Sequence, residues 1–349
     1  MSAVAEQAEA RPTEPPVHRS SFGSLLRSEL HRFRSRRFIQ VVLVVAVLLW
    51  IVATGIALTQ YGNPSKAEIA QAEEQISTDL EMNRQFHEEC VANPDQVPEG
   101  VSVDQFCGPE PSRDDMRLEW YLDKAPFDFS GAAAGGALGF AGLSAVIAAL
   151  VGATWIGAEW STRSLVALLF WVPRRMQVMA AKLLVLLGAA AVIGVVAQGA
   201  WLAMSGILRA TAGSDRALPE RFWGDLLQTQ GRGVLLTVIA ALLAFGLTNL
   251  LRNTGAALGI AFVYLVIVES AVRALRPHWQ PWLLSDNALG LVQQGGNTIY
   301  FYDGVPDANG IIEPTEYVLG HLQAVTLLGA VTVVVVGIGA VLFARRDLH

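Results

Sequence analysis

Lysine is nearly missing: only Lys66, Lys124 and Lys182 stand beside 22 arginines in 349 residues. None of the three follows a Gly-x-x-x-x-Gly run or precedes Ser or Thr, so the chain has no loop of the kind that cradles nucleotide phosphates. Metal chemistry is no better served. His87-Glu88-Glu89-Cys90 lacks the second histidine four residues on that a zinc-protease helix needs, and there is no Cys-x-x-Cys. Charge of either sign is scarce too, at 16% of residues, where a soluble domain carries roughly 25%. The long uncharged stretches argue against a water-soluble enzyme.

What is present instead is apolar length. About 20 apolar residues cross a ~30 Å hydrocarbon core, and six runs qualify: 39–60, 133–157, 178–208, 233–251, 255–272 and 318–344. The expected fold class is an all-α polytopic membrane protein with six transmembrane helices, an N-terminal interfacial helix and an external subdomain between helices 1 and 2. Residues 11–40 hold seven arginines against two glutamates, whereas residues 61–132 hold sixteen Asp and Glu against five Lys and Arg. Basic flanks stay in the cytoplasm, so both termini, the 158–177 connection and the 252–254 turn are expected on the cytoplasmic side of a plasma membrane. A signal peptide is the rival view of the N-terminus. Thirty-eight residues before the apolar run is long for one, and a retained first span is preferred.

Residues 1–20 are rich in Ala, Glu and Pro without periodicity and are expected to be a disordered tail. Over 21–38, Phe22, Leu26, Leu30 and Phe33 recur at helical spacing among arginines, as in a basic amphipathic helix lying in the headgroup layer. An early start to the first span is the plainer alternative. Residues 61–132 form the external subdomain, opening at Ser65-Lys66-Ala67-Glu68, which has capping-box spacing ahead of the stripe Ile69, Ala72, Ile76 and Leu80. Turns are expected at 93–94, 98–100 and 108–111. Both cysteines, Cys90 and Cys107, lie here in a region expected to face an oxidising compartment, and a disulfide is preferred to free thiols or a metal pair. Residues 209–232 make an outer loop. Residues 273–317 are an outer segment in which Trp282 to Val292 could re-enter the membrane, and 345–349 are an inner tail.

Within the spans, Gly131, Gly135 and Gly139 share one helical face, where another helix could approach closely. Gln198 is the main strongly polar group inside an apolar run, read as a helix-to-helix hydrogen bond in preference to a cargo contact. Glu269 lies four residues before Arg273 and is expected to pair with it.

The informative stretch runs from Gly157 to Arg175. Glu159 and Arg163 have i, i+4 spacing, Leu165, Leu168, Leu169 and Val172 form an apolar stripe, and Pro173 stops the helix before Arg174 and Arg175. A short amphipathic helix is therefore expected over Glu159 to Trp171. Here the chain resembles the permease subunits of ABC-2 type exporters, in which span two ends in Glu and a Gly/Ser-Thr pair. A leucine-rich helix, Pro, Arg and a Lys opening span three follow, matched by Glu159, Ser161-Thr162, Leu165 to Leu169, Pro173, Arg174/Arg175 and Lys182. The closing Phe343 to Leu348 also looks like the family's terminus. Ser161 replaces a frequent Gly, and the long insert after span one is commoner in actinobacterial and antibiotic-export branches.

The resemblance implies a non-enzymatic, membrane-spanning subunit paired with a second permease, copy or paralogue, and with two cytoplasmic ATPase subunits that hold the ATP and Mg. This chain would need no cofactor, metal or nucleic acid. The helix from Glu159 to Trp171 would couple it to the ATPase, using Glu159, Thr162, Arg163, Leu165, Leu168, Pro173, Arg174 and Arg175. Lipophilic cargo (drug, antibiotic or lipid-like) would leave between the permeases along spans two and five. A non-transporting scaffold or sensor displaying the acidic external domain is the runner-up. A membrane-embedded enzyme comes third, because no convergent His, Asp and Ser set is visible.

Overall fold

A computed structural model of the chain describes residues 21–97, 101–171, 174–214, 216–304 and 312–345. The tail assigned to 1–20, the turn at 98–100, Pro173 and residues 346–349 lie outside the described residues. The chain is an all-α polytopic membrane protein built on six long apolar helices. They are α2 (Arg37–Gln60), α5 (Phe129–Ser161), α7 (Arg175–Ala212), α8 (Phe222–Leu251), α9 with its continuation (Thr254–Leu275) and α12 (His321–Arg345). Several outrun the apolar stretches in the sequence. At ~1.5 Å per residue the 38 residues of α7 reach ~57 Å, and α8 starts eleven residues before the run at 233. A helix ends at a stop signal rather than where hydrophobicity ends. The Asp128 carboxylate accepts the Ser130 N–H at 2.9 Å and opens α5 early, while Arg252, left-handed at φ 55°, closes α8.

Burial divides the spans. In α7 and α8, 44% of the apolar window is buried, against 6% in α2 and 11% in the fifth span. The core is therefore α5, α7, α8 and α12, with the first and fifth spans on the flank. Small residues bring α5 against α8: a Cβ on Gly152 would lie 2.5 Å from the Ala241 carbonyl oxygen. The packed stripe of α5 is Ala133, Ala137, Ala141, Ser144, Ala148 and Gly152. The glycine face expected to pack is displaced from it by two residues, or ~200° around a helix. Gly135 and Gly139 meet nothing within 4 Å in this chain, and Gly131 meets its own cap, Asp128. Gln198 donates from Nε2 to the Ala137 carbonyl at 3.1 Å, a bond between α7 and α5. The Ser144 and Thr237 hydroxyls share another at 2.7 Å between α5 and α8.

Between α2 and α5, helix α3 (Lys66–Ala92) opens on a complete Ser65/Glu68 capping box. Its stripe turns Ala72 and Ile76 inward. The short α4 (Val103–Cys107) is tied to the far end of α3 by the Cys90–Cys107 disulfide. Tyr121 donates to Asp79 at 2.9 Å. The Phe127 N–H donates to the Ala212 carbonyl and Asn63 donates to that of Thr211, which seats this subdomain on the end of α7.

The fifth span is α9 (Thr254–Phe262), a π-helical turn over Val263–Val268 and α10 (Glu269–Leu275). The extra residue of a π turn resets the helical face, and Glu269 ends fully buried. Arg273 pairs with it at 3.4 Å and reaches Asp286 at 3.0 Å on α11 (Leu284–Val292). Ser285 closes the set by donating to Glu269 from its hydroxyl and its N–H. After α11 comes a feature absent from the sequence expectations, an antiparallel pair of β1 (Asn297–Phe301) and β2 (Thr315–Leu319) in register Ile299↔Tyr317.

Candidate functional site

The chemistry-bearing residues gather where α5 ends and α7 begins. Helix α1 (Phe22–Arg34) starts at Ser21, whose hydroxyl accepts the Ser24 N–H at 3.2 Å. It turns Leu25, Glu29 and Phe33 toward the bundle. That face is rotated from the apolar stripe of the sequence, and Phe22 and Leu30 remain exposed. The cause is electrostatic. Glu29, one acid in an arginine-rich helix, is fully buried and accepts from Lys182 Nζ at 2.6 Å.

Lys182 sits between two carboxylates. Its ammonium lies 2.7 Å from Glu159 Oε2, a charge contact without the alignment of a hydrogen bond. It also lies 4.9 Å from the Trp155 ring centroid, where the π face adds attraction. Arg32 reaches Glu29 at 3.2 Å and Arg36 reaches Glu159 at 3.3 Å. Ions taken out of water are tolerated only with partners, and these two carboxylates have three cations around them. Phe33 stacks edge-on against Trp155 at 5.1 Å and covers the cluster.

Helix α6 (Ser164–Trp171) lies between the two roots that this cluster binds. It does not begin at Glu159. Helix α5 runs on through Ser161, the Thr162 N–H still donates to Ala158, and Arg163 at φ 53° makes the break. The expected i, i+4 pair of Glu159 with Arg163 is therefore replaced by pairs of Glu159 with Lys182 and Arg36. Thr162, Arg163 and Arg174 are exposed, Leu165 is fully buried and Leu168 is half-buried. Arg175 donates to the Phe343 and Ala344 carbonyls at 3.5 and 3.3 Å, satisfying the end of α12. Arg252 lies over the Trp160 ring at 4.6 Å, and the Trp160 indole donates to Asn249 at 3.1 Å. Thus α1, α5, α7, α8 and α12 all meet beneath α6.

A family model described as ABC-2 family transporter protein matches residues 26–348, from within α1 to beyond α12. The chain belongs to the ABC-2 transporter family. Searches of curated proteins and of solved structures find no match. As an ABC-2 permease subunit, the protein has in α6 an element joining its second and third spans, with an exposed polar start and buried, charge-locked roots. Sequence spacing singled out Glu159 but gave it the wrong neighbour, and it passed over Glu29 and Trp155. Glu29 had one available signal, a lone acid placed four residues from both Leu25 and Phe33.

Proposed function

We propose that this permease is the membrane-spanning half of an ATP-driven exporter, and that α6 is the element on which a separate cytoplasmic ATPase acts. The observation that carries this is the double anchorage of the α6 hairpin: Glu159 on its entering helix and Lys182 on its leaving helix lie 2.7 Å apart, and Lys182 also holds Glu29 of α1 at 2.6 Å. A push on α6 is delivered to three helices as one body instead of being absorbed in a loose loop. The exposed residues Thr162, Arg163 and Arg174 are the surface offered to the ATPase, and the buried acids are not. The α6 end faces the cytoplasm of a plasma-membrane protein, with ATP and Mg on two ATPase subunits. A second permease covers the flank that includes the fifth span and the open Gly135 and Gly139 face of α5. Cargo of lipophilic character (drug, antibiotic or lipid-like) leaves between the two.

The test is co-purification with the ATPase, and cargo-stimulated ATP hydrolysis in nanodiscs, for the R163E/R174E variant normalised to inserted protein. Opposing like charges at an interface cost several kcal/mol, so the complex or its stimulation should be lost while the chain inserts normally. Wild-type assembly and transport would move coupling away from α6. Purification of the wild type without any ATPase would indicate a scaffold. Orientation is checked separately: a cysteine near Arg252 should be labelled only from the cytoplasm and one near Asp104 only from outside.

A further inference from the structure

The first span is the least buried of the six, and midway along it the Trp50 indole donates to the Ala200 carbonyl at 3.0 Å. Between that anchor and the α1 end, α2, α5 and α7 enclose a cleft of about 600 Å³. Such a volume is in the range that encloses a hydrocarbon-sized ligand. Its walls are apolar, among them Leu43, Val47, Leu143 and Val196. The one hydroxyl on the wall, Ser144, is already bonded to Ala141 and Thr237. Nothing in the cleft asks for water or for a polar ligand.

Depth and charge say what fills it. On α2 the cleft runs from Leu43 to Trp50, six and thirteen residues past Arg37 and so ~9 to ~20 Å above it, while its α5 and α7 walls lie ~15 to ~31 Å above the level of Glu159 and Lys182. One leaflet of a ~30 Å core is ~15 Å deep, so the lower part of the cleft is where the distal half of an acyl chain lies when its headgroup is level with Arg37, and the upper part takes the chain end past the midplane. At that level Arg34 and Arg37 are exposed and Arg36 is half-exposed. A smaller hollow of about 320 Å³, lined by Arg36, Ile39, Thr154 and Ala158, lies between headgroup level and the cleft. Residues 140, 147, 154 and 161 of α5 fall on one helical face, so hollow and cleft follow a single seam along α2 and α5. A second copy is a poor occupant. Copies inserted the same way would bring their arginine clusters together at one depth.

We propose that the α2–α5 seam is a resident site for an anionic phospholipid, with its phosphate at Arg34 and Arg37 and one acyl chain in the cleft closed by Trp50. In the orientation proposed above this is an inner-leaflet lipid, but the site does not depend on which leaflet faces the cytoplasm.

The test uses the full chain in nanodiscs containing phosphatidylglycerol with a photoactivatable diazirine near the end of one acyl chain, against phosphatidylcholine bearing the same chain. Cross-links from phosphatidylglycerol should concentrate on residues 43–50 and 192–203, about tenfold above those on the exposed Val333 and Val334 of α12, a factor that corresponds to about tenfold in affinity. Val196→Trp should fill the cleft and remove the excess while leaving the α12 signal. The R34Q/R37Q variant should bring the phosphatidylglycerol yield down to that of phosphatidylcholine. Competition by unlabelled phosphatidylglycerol on the wild type gives the same reading without a variant. Equal labelling of the cleft and α12 would mean ordinary annular lipid and overturn the proposal. So would cross-links from the cleft to a second chain, or release of the lipid during ATP-driven turnover, which would make it cargo.

Discussion

Replacing Lys182 with methionine keeps an unbranched side chain of similar length and deletes the ammonium that joins Glu29 to Glu159. Removing one partner of a buried pair costs ~3–5 kcal/mol, because the other charge stays buried. Here two carboxylates lose a contact at once, at 2.6 and 2.7 Å. Each keeps a guanidinium, Arg32 at 3.2 Å and Arg36 at 3.3 Å, but those side chains are 35% and 28% exposed and partly screened. The low end is therefore expected, about 3 kcal/mol. Glu29→Gln alone leaves Lys182 with Glu159 and should cost less, ~1–2 kcal/mol. The double variant K182M/E29Q should be more stable than K182M, because one stranded carboxylate is gone and the two sites are coupled. Equilibrium unfolding of the purified chain in bicelles reads the energies, and amide exchange over 22–34 reads the release of α1. Wild-type stability of K182M with unchanged α1 protection would refute the anchoring role of the cluster.

Three further outcomes are expected. Intact-mass analysis with alkylation should find no free thiol, and C90A/C107A should loosen the α3–α4 junction by ~3 kcal/mol for a 17-residue separation, in the chain-entropy account. A carbon-detected NMR titration should place Glu68 below its ordinary value of 4.5, because the Ser65 N–H and then its hydroxyl favour the carboxylate. Its capping contribution is thus complete above that value and fades as pH falls through the lowered one, and a Glu68 pKa at or above 4.5 would count against it. Gly152→Ala should destabilise the chain by ~1–3 kcal/mol, since its Cβ meets the backbone of Ala241. Gly139→Ala should stay within ~0.5 kcal/mol, and equal effects at the two sites would contradict the packing described for α5.

The spans were legible because ~20 apolar residues admit few fates other than crossing a bilayer. The capping box and the cystine were legible because they are local or nearly so. Orientation around each helix was not. On α5 a glycine stripe and an alanine stripe compete with equal periodicity, and only the neighbouring Trp201, Gln198 and Ala241 decide that the alanines face inward. The β1–β2 pair was not legible because its strands are five residues each, within a segment rich in glycine, proline and polar residues.

Glu159 shows where spacing misleads. Four residues separate it from Arg163, and on an unbroken helix that separation brings side chains together. A left-handed residue at Arg163 ends the helix instead, and the partners come from 23 residues later and 123 residues earlier in the chain. This changes what a mutation there can report. Exchanging the charges of Glu159 and Arg163 would place a second buried cation beside Lys182 with Glu29 as the nearest remaining acid, so the variant would fail by losing its inner anchorage whether or not α6 touches an ATPase. A change at Arg163 or Arg174 leaves the buried cluster intact and alters only what a partner meets. Full coupling in R163E/R174E, combined with lost coupling in a folded K182M/E29Q, would place transmission in the anchorage itself and docking on some other surface.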